Sequence, residues 1–143
     1  MKSALFSLVL AATLQAGCNS NESARIDETR QKLVGTWLRE VDSNGTKHRR
    51  LIVLGREGKF TDRVHTVSPD GRSERQEHAG EWSYDGTNLK RRYLQENGRQ
   101  FSGGKIRFAT FPLKAVSASE LVANDNIEGV EVVYRRVADG LAL

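Results

Sequence analysis

The sequence contains very few cysteine, proline and methionine residues. It has one Cys, two Pro and one Met among 143 residues. A single Cys excludes an intramolecular disulfide and every zinc site built from paired C-x-x-C motifs. The chain also lacks an apolar run of about 20 residues, the length that a transmembrane helix needs. These absences leave one domain of ordinary size, which must be held together by a hydrophobic core.

The charge balance is mildly basic. Lys and Arg total 22 and Asp and Glu total 18, which gives a formal net charge of +4. Hydrophobic residues make up 38% of the chain, and the aromatic residues are two Trp, three Tyr and five Phe. This composition supplies enough apolar surface for a core, so it indicates a polar globular protein and excludes an intrinsically disordered one.

The amino-terminal residues have the pattern of a targeting sequence. Lys2 precedes an uncharged apolar run over residues 4–14, which is too short to cross a bilayer but has the length of a signal-peptide core. Cys18 follows two small residues, and this segment resembles the lipobox of bacterial lipoproteins, in which the Cys becomes the acylated amino terminus. Gln15 departs from the lipobox pattern, so ordinary signal-peptidase cleavage after Ala16 stays open as an alternative.

We therefore expect three parts in the chain. Acylation of Cys18 would anchor the protein to a membrane. By the same resemblance, Asn19 implies an outer-membrane lipoprotein of the bacterial cell envelope that faces the periplasm. The parts are a lipoprotein signal peptide at 1–17, a polar tether that runs into a short helix at 18–31, and a folded domain at 32–143.

Short turn signals recur at regular intervals after a predicted helix. Ser23 would cap this helix, which we expect over residues 24–33. Beyond it the apolar residues alternate with a period of two, and the Asn-Gly pairs at 44–45 and 97–98 favour tight hairpins because type I′ turns need positive φ. The turns separate eight predicted strands, with a break near Pro112: 35–42, 47–54, 59–68, 73–84, 88–96, 99–111, 113–124 and 130–137.

The spacing of the strands predicts their arrangement. Consecutive hairpins form an antiparallel meander, and the short connections leave no room for the crossover helices of a parallel sheet. An open meander has two unpaired edges, which closure into a barrel removes. We therefore expect an all-β fold, an eight-stranded antiparallel up-and-down barrel preceded by a short N-terminal helix.

Alternation within the strands leaves two possible inward faces. One places Trp82 and Tyr93 inside the barrel together with Arg50 and Arg91, which makes the lumen mixed rather than apolar. The opposite face would put those arginines in water. That opposite face is formed by Leu51, Val53, Val67 and Leu94. We favour the first face because it gathers the aromatic residues.

Four motifs carry a resemblance to a known family. They are LVGTW at 33–37, GKF at 58–60, GEW at 80–82 and YRRV at 134–137. In this order they resemble the lipocalin-like domains of small bacterial lipoproteins, which are calycin-type barrels. The resemblance implies that Gly35 and Trp37 close one end of the barrel, with Arg135 or Arg136 lying across the indole. An arginine stacked in this way gains about 1 kcal/mol of cation–π energy.

The sequence offers little chemistry for catalysis. His48, His65 and His78 fall on neighbouring strands, but their spacing matches no compact metal-ligand motif. The chain contains no nucleophile-elbow motif and no phosphate-binding loop. We therefore expect no enzymatic activity, no metal and no cofactor. The basic residues are not interleaved with exposed aromatics, so we also expect no nucleic-acid partner.

The residue pattern therefore favours a binding function. Arg50 and Arg91, with Tyr93 and Tyr84 beside them, would hold the head group of a small amphipathic or anionic molecule inside the barrel. Apolar lumen residues would contact its tail. The alternative is an envelope protein-interaction module, or an inhibitor of a secreted enzyme, in which side chains fill the barrel and its outer face or rim binds a partner protein.

Overall fold

The computed structural model describes residues 17–102 and 107–143. In this part of the chain one helix precedes nine strands. The helix is α1 (Gly17–Leu33), and the strands are β1 (Gly35–Ser43), β2 (Thr46–Leu54), β3 (Lys59–Val67), β4 (Ser73–Tyr84), β5 (Asn88–Glu96), β6 (Arg99–Gln100), β7 (Arg107–Val116), β8 (Glu120–Asp125) and β9 (Val130–Val137).

The strands form a closed antiparallel barrel. Strands that are neighbours in sequence pair with each other, except β6 and β7, and β1 also pairs with β9, which joins the two ends of the meander. The short strand β6 and the longer β7 pair with the same edge of β5, so together they form one of the eight staves of the barrel. The predicted eight-stranded up-and-down barrel with an N-terminal helix is therefore confirmed.

The hairpin turns follow from the residues that occupy them. Asn44 and Asn97 have φ values of 53° and 48°, and the glycine after each also has positive φ. These are the values that a type I′ turn needs, and Asn followed by Gly adopts them at low cost. The turn residues therefore fix the ends of β1, β2, β5 and β6 close to where the sequence places them.

The predicted break at Pro112 is wrong, because β7 runs through this residue to Val116. The Leu113 N–H donates to the Thr87 carbonyl, so by alternation the nitrogen of Pro112 faces the other side of the strand. On that side β7 pairs with β8, but this pairing begins only at Leu113, and its register shifts between Leu113 and Ala115. Pro112 therefore breaks no ladder hydrogen bond, and the strand ends at the Ser117–Ser119 turn instead.

The helix is longer than predicted, since it begins at Gly17 rather than Ala24. The segment that we expected to be a polar tether is therefore helical over its described residues. Extending an established helix is easier than nucleating one, and no proline or β-branched residue interrupts this stretch. The predicted signal peptide falls almost wholly on residues 1–16, outside the described part. Among the described residues, no helix is long and apolar enough to cross a membrane.

Helix α1 and two tryptophans close one end of the barrel. The Trp37 indole N–H donates to the Leu33 carbonyl at 2.8 Å, and the Arg136 guanidinium lies 4.1 Å from the centre of the Trp37 ring. Arg136 also donates to the carbonyls of Val34 and Lys32 at the carboxyl end of the helix. A cation at this end satisfies carbonyls that the helix leaves unpaired.

Gly35 makes this closure possible. Its φ is +142°, and a Cβ built on it would lie 2.1 Å from Nη1 of Arg136. The resemblance left Arg135 and Arg136 as alternatives for the residue over the indole. The structure places Arg136 there, whereas Arg135 lies on the outer wall and pairs with Glu40.

The inward face is the one that gathers the aromatic residues. Ile52, Phe60, Trp82 and Leu89 are buried in a single apolar cluster inside the barrel. Leu51 points outward with Leu38, and both are nevertheless 1% exposed. The chain after β9 returns across the outer wall, where Ala142 and Leu143 lie near Arg63 and Asp139 accepts from the Thr36 hydroxyl.

Candidate functional site

Side chains fill the lower part of the barrel. The cavity left between them has a volume of about 20 Å³, and the residues around it include Trp37, Phe111 and Tyr134. This space holds about one water molecule. Pockets for small organic ligands are about 300–1,000 Å³. The lumen therefore offers no room for the tail of an amphipathic ligand, and Ile52 and Leu89, expected to contact such a tail, pack in the core instead.

Three charged side chains lie above this apolar layer, and we call them the buried charge cluster: Arg50, Asp62 and Arg91. Arg50 donates from Nε and Nη2 to the two oxygens of Asp62, at 2.8 and 2.5 Å. Arg91 donates from Nη1 to Oδ2 of Asp62 at 2.8 Å. The side chains of Asp62 and Arg91 are 0% and 2% exposed, whereas that of Arg50 is 28% exposed toward the open end. Two guanidinium groups thus share one carboxylate, which leaves one excess positive charge.

The environment of the cluster favours the ionised forms of Asp62 and Arg50. Burial alone would raise the pKa of Asp62, but the hydrogen bond from Arg50 and the charges of Arg91 and Arg50 outweigh it, so the pKa lies below its usual value. For Arg50, burial acts to lower the pKa, but the hydrogen bond to Asp62 and the charges of Asp62, Tyr134 and Tyr93 together more than reverse this, so the pKa is raised. The cluster is therefore a permanent feature at neutral pH.

Aromatic rings surround the more deeply buried arginine. The guanidinium carbon of Arg91 lies 4.5 Å from the ring centre of Phe111, 5.5 Å from that of Tyr93 and 5.7 Å from that of Phe60. These cation–π contacts stabilise a charge that a single shared carboxylate only partly balances. Among the described residues, Nε of Arg91 and Nδ1 of His78 are buried without a hydrogen-bond partner.

Above the cluster the barrel opens into a concavity that we call the mouth cup. Its volume is about 410 Å³. It is lined by Arg39, Val41, Ser43, His48, Arg50, Val64 and Glu128. Arg50 belongs to both the mouth cup and the buried charge cluster. The exposed part of its guanidinium forms the floor of the cup, and the buried part contacts Asp62.

The cup carries more positive than negative charge. The Arg39 guanidinium forms no ion pair within residues 17–102 and 107–143. His48 is hydrogen-bonded through Nδ1 to the Thr66 hydroxyl at 3.0 Å. Glu128, in the exposed turn between β8 and β9, is the one acidic side chain lining the cup. The geometry can therefore accept a small anion beside Arg39 and Arg50.

Of the predicted ligand residues, the structure brings together Arg50, Arg91 and Tyr93. Burial raises the pKa of the Tyr93 hydroxyl, with Arg91 acting in the opposite direction. Tyr84, which was also predicted as a ligand residue, is not part of this group. It pairs with Leu89 two positions beyond the Trp82 and Arg91 pair, toward the closed end, and lies beside α1. Alternation gives the face of a strand on which a residue lies, but not its height along the barrel.

The three histidines do not converge. His48 lies at the mouth, His65 lines a shallow surface pocket beside the C-terminal residues, and His78 contacts Glu96 through Nε2 at 3.2 Å. Within the described residues there is no group of three or more His, Cys, Asp or Glu that could hold a metal ion. The side chain of Cys18, the predicted lipidation site, lies outside the described part.

Sequence reasoning missed the role of Asp62. Asp62 lies on the inward face two residues after Phe60, and the register pairs it with Ile52, next to the position of Arg50. Diagonal neighbours on adjacent strands are within reach of long side chains. The signal was therefore present: an inward carboxylate and an inward arginine on paired strands. Arg39 was also missed, although it lies two residues after the inward Trp37 on β1 and alternation therefore places it on the inner face.

Comparisons with known proteins add little beyond the fold. No protein-family model and no curated protein sequence matches the chain. Among solved structures, it is similar to a de novo designed fluorescence-activating β-barrel, at 19% sequence identity and a TM-score of 0.39. The similarity covers 76% of this chain and 97% of the designed one. Such a distant likeness carries no argument about function.

Proposed function

We propose that this protein binds a small anionic ligand in the mouth cup and does no chemistry on it. The observation that carries the proposal is the guanidinium of Arg39, which forms no ion pair with any residue that the structure describes and lines an open cup of about 410 Å³ whose floor is Arg50. Guanidinium groups present planar pairs of N–H donors that match carboxylate, sulfonate or phosphate oxygens. The excess positive charge of the buried cluster lies directly behind this floor.

The proposed ligand is held at the mouth rather than inside the barrel. Val41 and Val64 provide apolar contacts in the cup, whereas the lumen below has only about 20 Å³ free. Glu128 repels a negative group, so we expect the anionic end of the ligand to lie beside Arg39 and Arg50, away from that turn. A compact molecule with one anionic group and a small apolar part fits this geometry best.

We further propose that the protein is a lipocalin-like lipoprotein of the bacterial envelope, anchored through Cys18. Cys18 lies in the first turn of helix α1, which docks on the closed end of the barrel, where Arg30 lies 5.4 Å from the ring centre of Trp82. An anchor at the start of this helix would leave the mouth free to face the periplasm. Acylation is tested by mass spectrometry of protein purified from a bacterial membrane, since secretion without a lipid gives an unmodified mature chain.

A pair of matched fluorescent probes tests the binding site. Anilinonaphthalene sulfonate carries an anionic group, and phenylnaphthylamine has similar rings without it. We expect the sulfonate probe to bind at least tenfold more tightly, because a charge-assisted hydrogen bond contributes about 1.5 kcal/mol. We expect Arg39→Gln to remove most of this preference. Arg56→Gln, which removes the same charge from the exposed turn between β2 and β3, is the control and should leave it unchanged.

Amide NMR shifts induced by the sulfonate probe locate its site. The proposal predicts that the largest shifts fall on the cup residues, among them Val41, His48 and Val64. Equal affinity for the two probes, an unchanged Kd in Arg39→Gln, or shifts centred on Leu89 and Phe111 in the core would each contradict it.

A second candidate is a protein-interaction module with a filled barrel. It is supported by the small lumen cavity and by exposed apolar side chains around the mouth. These are Val41, Ile127 and Val130, which are 38%, 81% and 44% exposed. If this candidate is right and the first is wrong, neither probe binds in the cup and a partner protein covers the rim.

A further inference from the structure

The barrel wall is open along part of the seam between β1 and β9. Only Thr36, Trp37 and Leu38 of β1 pair with β9, opposite Val137, Arg136 and Arg135. β1 nevertheless continues to Ser43, and β9 begins at Val130. Toward the mouth, therefore, each of these strands has one edge that pairs with no described strand.

The free backbone groups can be assigned from the alternation of the ladders. Asn44 and Gly45 form a two-residue hairpin, so Ser43 and Thr46 are a hydrogen-bonded pair and the odd residues of β1 bond to β2. The even residues of β1 face the seam. Above Leu38, the backbone N–H and C=O groups of Glu40 and Asp42 therefore point to the open edge.

The same reasoning applies to β9. The Arg136 N–H donates to the Ser119 carbonyl, so the even residues of β9 bond to β8 and the odd residues face the seam. The backbone groups of Glu131 and Val133 are then the free ones on this side. This agrees with the pairs that do form, Thr36 with Val137 and Leu38 with Arg135.

Charged side chains mark the point where the seam opens. Glu40 accepts from Arg135 across the seam at 3.0 Å and from Arg49 of the neighbouring strand at 2.8 Å. On β1, the inward-facing Arg39 and Val41 lie on either side of Glu40, along the edge that pairs with no described strand. An unpaired and solvent-exposed strand edge is a template for an added strand.

We infer that the free edge of β1 binds an extended segment of a partner protein as an added strand. On the inner face, that strand would lie beside Arg39 and Val41, which favours an acidic and an apolar side chain two residues apart. On the outer face it would lie beside Glu40 and Asp42, which favours Lys or Arg at the alternate positions. The partner is therefore a segment that alternates basic outward residues with acidic and apolar inward ones.

Charge argues against a second copy of this chain as the occupant. Pairing two β1 edges would bring Glu40 and Asp42 of one copy beside the same residues of the other. Pairing β1 with the β9 edge of another copy would bring them beside Glu131. Like charges opposite each other on adjacent strands are destabilising. The inference does not depend on anion binding in the mouth cup, because backbone groups of Glu40 and Asp42 make the pairing, although an acidic residue of the added strand and an anionic ligand would both lie beside Arg39.

A synthetic peptide with this alternation tests the inference. The probe is an acetylated and amidated heptapeptide of sequence Lys-Val-Lys-Asp-Lys-Val-Lys. We expect it to slow hydrogen exchange at the amides of Glu40 and Asp42 by about tenfold or more, because these N–H groups become hydrogen-bonded. The matched control peptide has the same side chains but carries N-methyl groups on alternate amides, and it should give no protection.

Two variants separate backbone pairing from simple charge attraction. Asp42→Pro removes one free donor, and Asp42→Asn removes only the charge of the side chain. We expect the proline variant to lose peptide binding by tenfold or more and the asparagine variant to retain it, with circular dichroism and thermal unfolding showing that both remain folded. If Asp42→Pro does not fold, the N-methylated peptide still provides the decisive comparison.

Several outcomes overturn the inference. They are equal binding of the plain and N-methylated peptides, protection at Glu131 and Val133 in place of the β1 residues, and no binding of the plain peptide at millimolar concentration. A peptide-free dimer in sedimentation velocity that protects the same amides would identify a second copy as the occupant. None of these results changes the binding of the sulfonate probe, so the proposed function is tested separately.

Discussion

Removing the shared carboxylate of the buried charge cluster should strongly destabilise the fold. In Asp62→Asn, the guanidinium of Arg91 stays buried at 2% exposure without a counter-ion. Breaking a buried ion pair from one side costs about 3–5 kcal/mol. Arg50 is 28% exposed and can turn toward water, so the cost comes mainly from Arg91. Its three neighbouring rings recover part of this cost, which leaves an expected loss of about 3 kcal/mol.

A loss of this size is measurable and large for a single domain. Total stabilities are about 5–15 kcal/mol, and the midpoint of thermal unfolding should fall by roughly 10 °C. Urea unfolding followed by the fluorescence of Trp37 and Trp82 gives the free energy directly. The control is Arg63→Ala on the same strand, whose side chain pairs with Glu77 at 2.8 Å and is 43% exposed. An exposed pair of this kind contributes about 0–1 kcal/mol.

The double variant Asp62→Asn with Arg91→Met isolates the ion pair. Met removes the uncompensated charge while filling a similar volume, so the double variant should be more stable than Asp62→Asn alone. Such a positive coupling is expected only if the two side chains interact in the folded state. If Asp62→Asn costs no more than Arg63→Ala, or if the double variant is less stable than Asp62→Asn, the view of Asp62 as a buried counter-ion is wrong.

Three further predictions follow from the geometry. The pKa of Asp62 is lowered on folding, so its contribution to the free energy of unfolding is complete above about pH 4 and is lost as pH falls toward the lowered value. Urea unfolding in acid should show this decline. The decline should be smaller in Asp62→Asn, where only the other carboxylates of lowered pKa, such as Glu40, contribute to it. Gly35→Ala should lower the free energy of unfolding by about 2 kcal/mol, because a φ of +142° is unfavourable for alanine and the added Cβ would displace Arg136. The displacement should also alter the fluorescence emission of Trp37. An emission spectrum equal to that of the parent would show that Arg136 has kept its place. Tyr84→Phe should leave the Kd of the sulfonate probe unchanged, because Tyr84 lies at the closed end; a weaker Kd would place the ligand elsewhere.

The fold could be predicted because the turn residues and the alternation of apolar residues along the strands indicate the same barrel. Asn44 and Asn97 sit at positions of positive φ, and each is followed by the glycine that a tight turn needs. Apolar and aromatic residues alternate with a period of two between such turns, so strand bounds and inward faces follow together. Pro112 misled the prediction because the effect of a proline depends on which edge of a strand is paired.

The candidate site was harder to predict for a physical reason. Alternation assigned Arg50, Arg91 and Tyr93 to the lumen, but it gives neither the height of a residue nor the partner of a charge. Tyr84 lies nearer the closed end of the barrel than the other candidates. The ion pairs with Asp62 occupy the guanidinium faces that a ligand was expected to meet. Both depend on strand register, which has to be fixed around the whole barrel before contacts can be read from it.

The buried charge cluster explains why binding should occur at the rim in a barrel of this size. An arginine inside an eight-stranded lumen must be paired, because burying a lone charge is very unfavourable. Asp62 satisfies this requirement for both Arg50 and Arg91, and the rings that stack around Arg91 fill the space that a ligand would use. The remaining recognition groups therefore lie above the cluster. They are the guanidinium of Arg39, which forms no ion pair within the described part of the chain, the exposed side of Arg50, and the edge of β1 that pairs with no described strand. The cup and the seam that they form meet at the mouth.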